Sequence, residues 1–94
     1  MLTIQHNETA NNGIFEAWQG ETQVGKMTYQ RPQAEQMQID HTLVFEGFEG
    51  QGIARQLVLA AVAFARANGR KIVPICSYAR AFLTRTEEYN DVIN

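Results

Sequence analysis

Three glycines stand within six residues in the stretch Gly47-Phe48-Glu49-Gly50-Gln51-Gly52-Ile53-Ala54-Arg55. The stretch joins the end of an alternating, strand-like run to the start of a run with helical spacing. A helix N-terminus carries unpaired N–H groups and a partial positive charge. Glycines just before it leave no Cβ in the path of an approaching anion. This chemistry suits a diphosphate-bearing cofactor. Two further residues carry reactive groups. Cys76, the single cysteine of the chain, ends a short apolar run, and His41 sits inside an alternating one. A thiol at the mouth of such a pocket is a candidate nucleophile, and an imidazole is a candidate base toward a thiol or an incoming amine. Each has a plainer reading as well. A lone cysteine is commonly a small buried hydrophobe, and a strand histidine is commonly satisfied by a backbone carbonyl.

The elements that position these residues are legible from periodicity. Leu2, Ile4 and His6 alternate with polar residues, and His6 reads as a surface strand position. Asn11-Asn12-Gly13 signals a turn. Ile14 to Trp18 is a second run, and Gln19-Gly20-Glu21 is a second turn. In the third run Met27 and Tyr29 mark the core-facing parity, and Pro32 ends it. The fourth run places Met37, Ile39, His41, Leu43 and Phe45 on one face, and Gln38, Asp40, Thr42, Val44 and Glu46 on the other. Ile53, Leu57, Ala60, Ala61, Phe64 and Ala65 then recur at helical spacing, and Asn68-Gly69 stops the helix. Lys71 to Ser77 reads as a strand and residues 78–86 as a second helix, with Ser77 available as its cap. The result is an α/β (α+β) order, β-β-β-β-α-β-α, with a mixed sheet and a parallel βαβ crossover at residues 37–77. In such sheets ligands bind at the carboxyl ends of the parallel strands, where the glycine turn lies.

Ninety-four residues, 45% hydrophobic and 19% charged, suit a single globular domain spanning 1–94. One cysteine allows no internal disulfide, and no Cys/His cluster has metal-ligand spacing. No leader pattern and no membrane-length apolar run are present. The expectation is a cytoplasmic protein with no metal and no membrane partner. The net charge of −2 is unevenly spread: −5 over residues 1–49, +6 over residues 50–86 and −3 thereafter. The basic block begins at the glycine turn, which favours a phosphorylated ligand there. Some of these arginines could equally solvate a helix face. The aromatics do not interleave with the basic block, which argues against nucleic acid.

Two phosphate-binding patterns do not fit the turn. A P-loop needs Lys-Ser or Lys-Thr after its glycines. A dinucleotide fingerprint needs a third glycine and an acid about twenty residues on. Glu49-Gly50-Gln51-Gly52-Ile53-Ala54 instead resembles the acyl-CoA turn of the GCN5-related N-acetyltransferase (GNAT) superfamily, Arg/Gln-x-x-Gly-x-Gly/Ala after the fourth main strand. Ile39-Asp40-His41-Thr42, Pro74-Ile75-Cys76-Ser77-Tyr78-Ala79 and Tyr89-Asn90-Asp91-Val92-Ile93 are similar to the very small YjdJ-type subgroup, the minimal acetyltransferases. Glu49 departs from the pattern, and the expectation is that its carboxylate points to solvent.

The resemblance implies acetyl-CoA between the two parallel strands. Its pyrophosphate would lie on the turn at Gly50, Gln51, Gly52, Ile53, Ala54 and Arg55, and its thioester and pantetheine arm along Val44 and Phe45. It also implies Cys76 and His41 as catalytic candidates and an amine, small or protein-borne, as acceptor. Direct transfer to the amine and a route through an acetylated Cys76 both remain open. So does a different class of protein, a CoA-binding module or acyl-CoA sensor without turnover.

Overall fold

The computed structural model describes residues 1–93. Four strands, β1 (Leu2–Glu8), β2 (Asn12–Gln19), β3 (Thr22–Gln30) and β4 (Gln36–Val44), form an antiparallel meander. Helix α1 (Ile53–Asn68) then crosses to β5 (Lys71–Pro74), which pairs parallel with β4, and α2 (Ser77–Thr84) follows. The sheet order is β1-β2-β3-β4-β5.

The first turn lies earlier than the Asn-Asn-Gly signal suggests. Thr9 closes it: its hydroxyl accepts from the Asn11 and Asn12 amides at 3.2 Å, and its own amide donates to the Asn12 carbonyl at 2.8 Å. Asn12 and Gly13 are thereby released into β2. Gly13 has a reason of its own. It pairs with Tyr29, whose ring lies across it so closely that a Cβ would sit 2.2 Å from Cζ.

One face of the sheet is covered. Ile53, Leu57, Val58, Ala61, Val62 and Ala65 of α1 are buried with Phe15, Ala17, Met27, Tyr29, Met37, Ile39 and Ile72. Ala79, Phe82 and Leu83 of α2 join the same core, as do Tyr89 and Val92. Beyond β5 the chain returns as an isolated parallel bridge from Ile72 to Ile93, and the Ile72 amide donates to Val92. Arg66 fastens this return, reaching Asp91 at 2.8 Å from Nε and lying over the Tyr89 ring.

His6 is not a surface residue. Its parity is that of Phe15, on which its ring stacks at 4.0 Å, with Phe64 edge-on at 4.4 Å. Its Nε2 lies 2.6 Å from the Tyr29 hydroxyl, which donates to Glu8 at 2.7 Å. Glu8 also accepts two bonds from Arg70, at 2.9 and 3.1 Å, and one from Arg31 at 3.1 Å. The Arg70 hydrogen bonds overcome partial burial and, with Tyr29 and Arg31, hold the Glu8 carboxyl down at about 2. Burial and the neighbouring Glu8 push the Tyr29 phenol up, and burial pulls the His6 imidazole down.

The fourth strand corrects the sequence reading. Tyr29 pairs with Ile39 but Thr28 pairs with His41, so Asp40 is an extra residue without a partner. Such a bulge reverses the parity of everything after it. Met37 and Ile39 face the helices, as expected. Past the bulge Thr42 and Val44 share the face of Met27 and Gly25, while His41 and Leu43 turn to the uncovered face with Thr28 and Lys26. Leu43 is accordingly 51% exposed. Asp40 is tied to the same open face by Thr28 at 2.6 Å and Gln30 at 3.2 Å. Burial opposes ionisation there, but these two hydrogen bonds keep its carboxyl below the usual range.

Candidate functional site

Strand β5 is shorter than the apolar run of the sequence. Its last parallel pair is Ile39 with Pro74. The amides of Ile75 and Cys76 then both donate to the Ile39 carbonyl at 2.9 Å, and the chain turns into α2. Among the described residues no strand pairs with β4 on that side from Asp40 onward. The Phe45 amide donates to Val24 of β3 at 2.9 Å, so it is engaged inside the sheet. Backbone direction alternates along a strand, which turns the amides of Val44 and Thr42 toward the gap that β5 has vacated. Of the two positions expected to contact an acyl group, Val44 therefore turns its amide to the gap, while the Phe45 amide is engaged by β3.

Cys76 forms the opposite wall of this gap. It, rather than Ser77, is the N-cap of α2, with extended backbone (φ −70°, ψ 142°) and its sulfur accepting from the Ala79 amide at 3.3 Å. The same sulfur is 3.3 Å from Thr42 Oγ1. Cys76 is a free, half-buried thiol. The sequence-predicted pair is not in contact: the side-chain partners of Cys76 are Thr42 and Ala79. His41, next to Thr42 on the strand, points to the other face of the sheet. There it lines an open groove of ≈ 340 Å³ with Lys26, Thr28, Thr42 and Leu43. Thr42 was not singled out from the sequence. The regular alternation of residues 37–46 puts it on the face opposite Ile39, and the bulge brings it round to Cys76.

The glycine turn closes the end of the gap. Gly47, Gly50 and Gly52 all have positive φ, at 92°, 81° and 75°. Gly52 caps α1 in the left-handed region with no side-chain hydrogen bond, and no acid stands in the first turn. A Cβ built at Gly50 or Gly52 would meet nothing within 4 Å. These glycines thus serve backbone conformation and an open approach to the helix N-terminus, a cradle that fits a phosphate group. The exposed Glu49 carboxylate accepts from the Gly47 amide of the same turn at 2.9 Å. Gln51 accepts from Gln19 at 2.8 Å, which ties the turn to the end of β2.

The basic block is less available than its sequence suggests. Arg70 is taken by Glu8, Arg66 by Asp91, and Lys71 donates to the Asp91 carbonyl at 2.6 Å. Arg55, in the first turn of α1, is exposed at the cradle itself. Among the described residues no group of His, Cys, Asp and Glu side chains could hold a metal ion, and no helix is long and apolar enough to cross a membrane.

A mixed sheet that splays after one parallel pair, with an uncapped glycine turn at the splay, defines a transferase of the acyl-CoA-binding class. The profile of the GCN5-related N-acetyl-transferases matches residues 14–92, and the chain belongs to that family. No curated protein matches it. Among solved structures, a GCN5-like protein from Staphylococcus aureus, described as an N-acetyltransferase candidate, is similar. It shares 31% identity at a TM-score of 0.71, over 96% of this chain and 87% of that one. A GNAT family acetyltransferase from Elizabethkingia anophelis with acetyl-CoA bound is similar in fold, at 17% identity and a TM-score of 0.69, over 89% and 72%. A Bacillus subtilis acetyltransferase in complex with CoA shares 21% identity at 0.63, over 77% and 63%.

Proposed function

We propose that this acetyl-CoA-dependent acetyltransferase moves the acetyl group to an amine by way of Cys76, as a single-domain member of the minimal, YjdJ-type subgroup. The observation that carries the reading is the end of parallel pairing at Ile39 and Pro74. It leaves the Val44 amide and the Cys76 thiol on one opened edge, with the glycine cradle at its end. The amides of Gly50 to Arg55 hold the pyrophosphate, with the Arg55 guanidinium beside them. The Val44 amide donates to the thioester carbonyl and supports the negative charge that grows on its oxygen. The Cys76 sulfur attacks the carbonyl carbon, the bond from that carbon to the CoA sulfur breaks, and the thiol proton passes to the departing CoA sulfur, so that CoA leaves as its thiol. His41 acts on the other face of β4. It takes the proton of the incoming amine, whose nitrogen attacks the acetyl carbon and releases the Cys76 sulfur. The open groove beside His41 admits a small amine or one carried on a protein. A lone cysteine kept as a free thiol suits a reducing compartment, the cytoplasm. The negative net charge and the separation of aromatic from basic residues argue against a nucleic-acid partner.

One feature favours a second reading, a CoA-binding module without turnover: among the described residues no element covers the face that carries His41. Intact-protein mass spectrometry after incubation with acetyl-CoA, beside a calorimetric titration, separates the two. The proposed route gives CoA binding and one acetyl adduct that is absent from Cys76→Ala. It also gives a His41→Ala protein that forms the adduct but passes it to amines slowly. Binding with no adduct and no acetylated amine leaves the binding module. No binding refutes the assignment of the glycine turn.

A further inference from the structure

The Asp40 bulge does more than move His41 to the open face; it delivers the Thr42 hydroxyl to Cys76. We infer that Thr42 is a positioning residue for the Cys76 thiol, a proton-switching partner that holds the sulfur in the gap in both of its protonation states. This rests on the role of Cys76 proposed above. The sulfur has two fixed neighbours, the Ala79 amide and Thr42 Oγ1, each at 3.3 Å. The amide can only donate. The hydroxyl can do either, since it carries one proton and two acceptor lone pairs. While the thiol holds its proton, S–H donates to Thr42 Oγ1. Once the proton has left, rotation about the Thr42 Cβ–Oγ1 bond turns O–H toward the sulfur. The ionised sulfur then accepts from hydroxyl and amide together. A hydrogen bond to the charged form is the stronger of the two, and the exchange holds the attacking sulfur in place without moving a heavy atom. Thr42 is held for this task on both sides: its backbone pairs with Met27 of β3, and its side chain faces α2. Valine has the same shape without the hydroxyl, and serine keeps the hydroxyl without the methyl.

The chain has one cysteine, so thiol alkylation reads this site alone. Wild type, Thr42→Val and Thr42→Ser are treated with iodoacetamide at neutral pH, and the mass increase is followed in time. Thermal melts and CoA titrations on the same samples establish folding and cofactor affinity. Thr42→Val is expected to alkylate about ten-fold more slowly, the worth of one hydrogen bond to a charged group. Thr42→Ser stays within about two-fold of wild type, and CoA affinity is the same in all three. Steric control gives a different pattern, with serine fastest and valine equal to wild type; that result overturns the inference. So does a serine variant that is folded but as slow as valine. Alkylation needs no acetyl-CoA, which keeps the two readings apart. The expected alkylation pattern in a protein that never forms the acetyl adduct upholds the Thr42–Cys76 arrangement and refutes the covalent route itself.

Discussion

Glu8→Gln is the substitution most informative about how this small sheet stays folded. Glu8 sits on edge strand β1, yet it holds Arg31 and Arg70 and accepts from Tyr29. Its side chain and those of both arginines are mostly buried, at 13–18% exposure. Holding the carboxyl at about 2 instead of 4.5 corresponds to roughly 3 kcal/mol at neutral pH. Solvent screening at a strand edge trims this to about 2 kcal/mol. The sign follows from the direction of the shift. A carboxyl depressed in the folded state stabilises fully above its unfolded value, and the contribution drains away as pH falls from about 5 toward 2. Glutamine can hydrogen-bond one arginine but neutralises neither. Glu8→Gln should therefore lose about 2 kcal/mol in urea unfolding at pH 7, or about 10 °C in melting temperature for a chain of this size. Near pH 2.5 it should unfold almost together with wild type. A gap between the two proteins that stays constant from pH 7 to pH 2.5 would refute the reasoning, since it would mean that shape rather than charge is lost.

Two other substitutions test the glycine assignments against each other. Gly13→Ala drives a methyl group into the Tyr29 ring, so the ring must leave its bonds to Glu8 and His6; a loss of about 1–3 kcal/mol is expected in denaturant unfolding, with CoA titration unchanged. Gly52→Ala meets no atom and carries only backbone strain, about 1 kcal/mol, but its methyl group stands where a phosphate would approach. Calorimetry should show CoA affinity falling ten-fold or more in Gly52→Ala while its melting temperature moves by only a few degrees.

The element order, the parallel crossover and the glycine turn were legible in the sequence because each rests on local chemistry. Alternation marks strands, the 3.6 period marks α1, and glycine marks positions where the chain must bend or be approached. Met27 and Tyr29 were placed correctly on the core face for the same reason. What stayed hidden depended on neighbours distant in the chain. The parity of His41, Thr42, Leu43 and Val44 turns on how β3 pairs with β4, and nothing in Ile39-Asp40-His41 announces a bulge. His6 looked like a surface residue because its stacking partners, Phe15 and Phe64, come from other elements. The length of β5 is set by where Ile75 and Cys76 find the Ile39 carbonyl, not by where the apolar run ends. The basic block looked like one electrostatic feature, but its members divide according to whether Glu8 or Asp91 lies within reach.

The unpaired Asp40 gives strand β4 something like a reading frame. Upstream of it odd-numbered residues belong to the interior; downstream even-numbered ones do. The placement of the reactive groups is thus encoded by a residue count and not by any one side chain. Deleting Asp40 would leave these groups on their present faces. Pairing it with Thr28 as an ordinary strand residue would instead restore strict alternation by number, carry His41 and Leu43 beneath the helices and expose Thr42, while leaving every candidate site residue in the protein. Composition at the site would be intact and its wiring reversed. For chains of this kind, a one-residue slip of β4 against β3 at this point is a larger functional event than replacing Ile39 or His41, and an alignment that misplaces the bulge residue exchanges the two sides of the sheet.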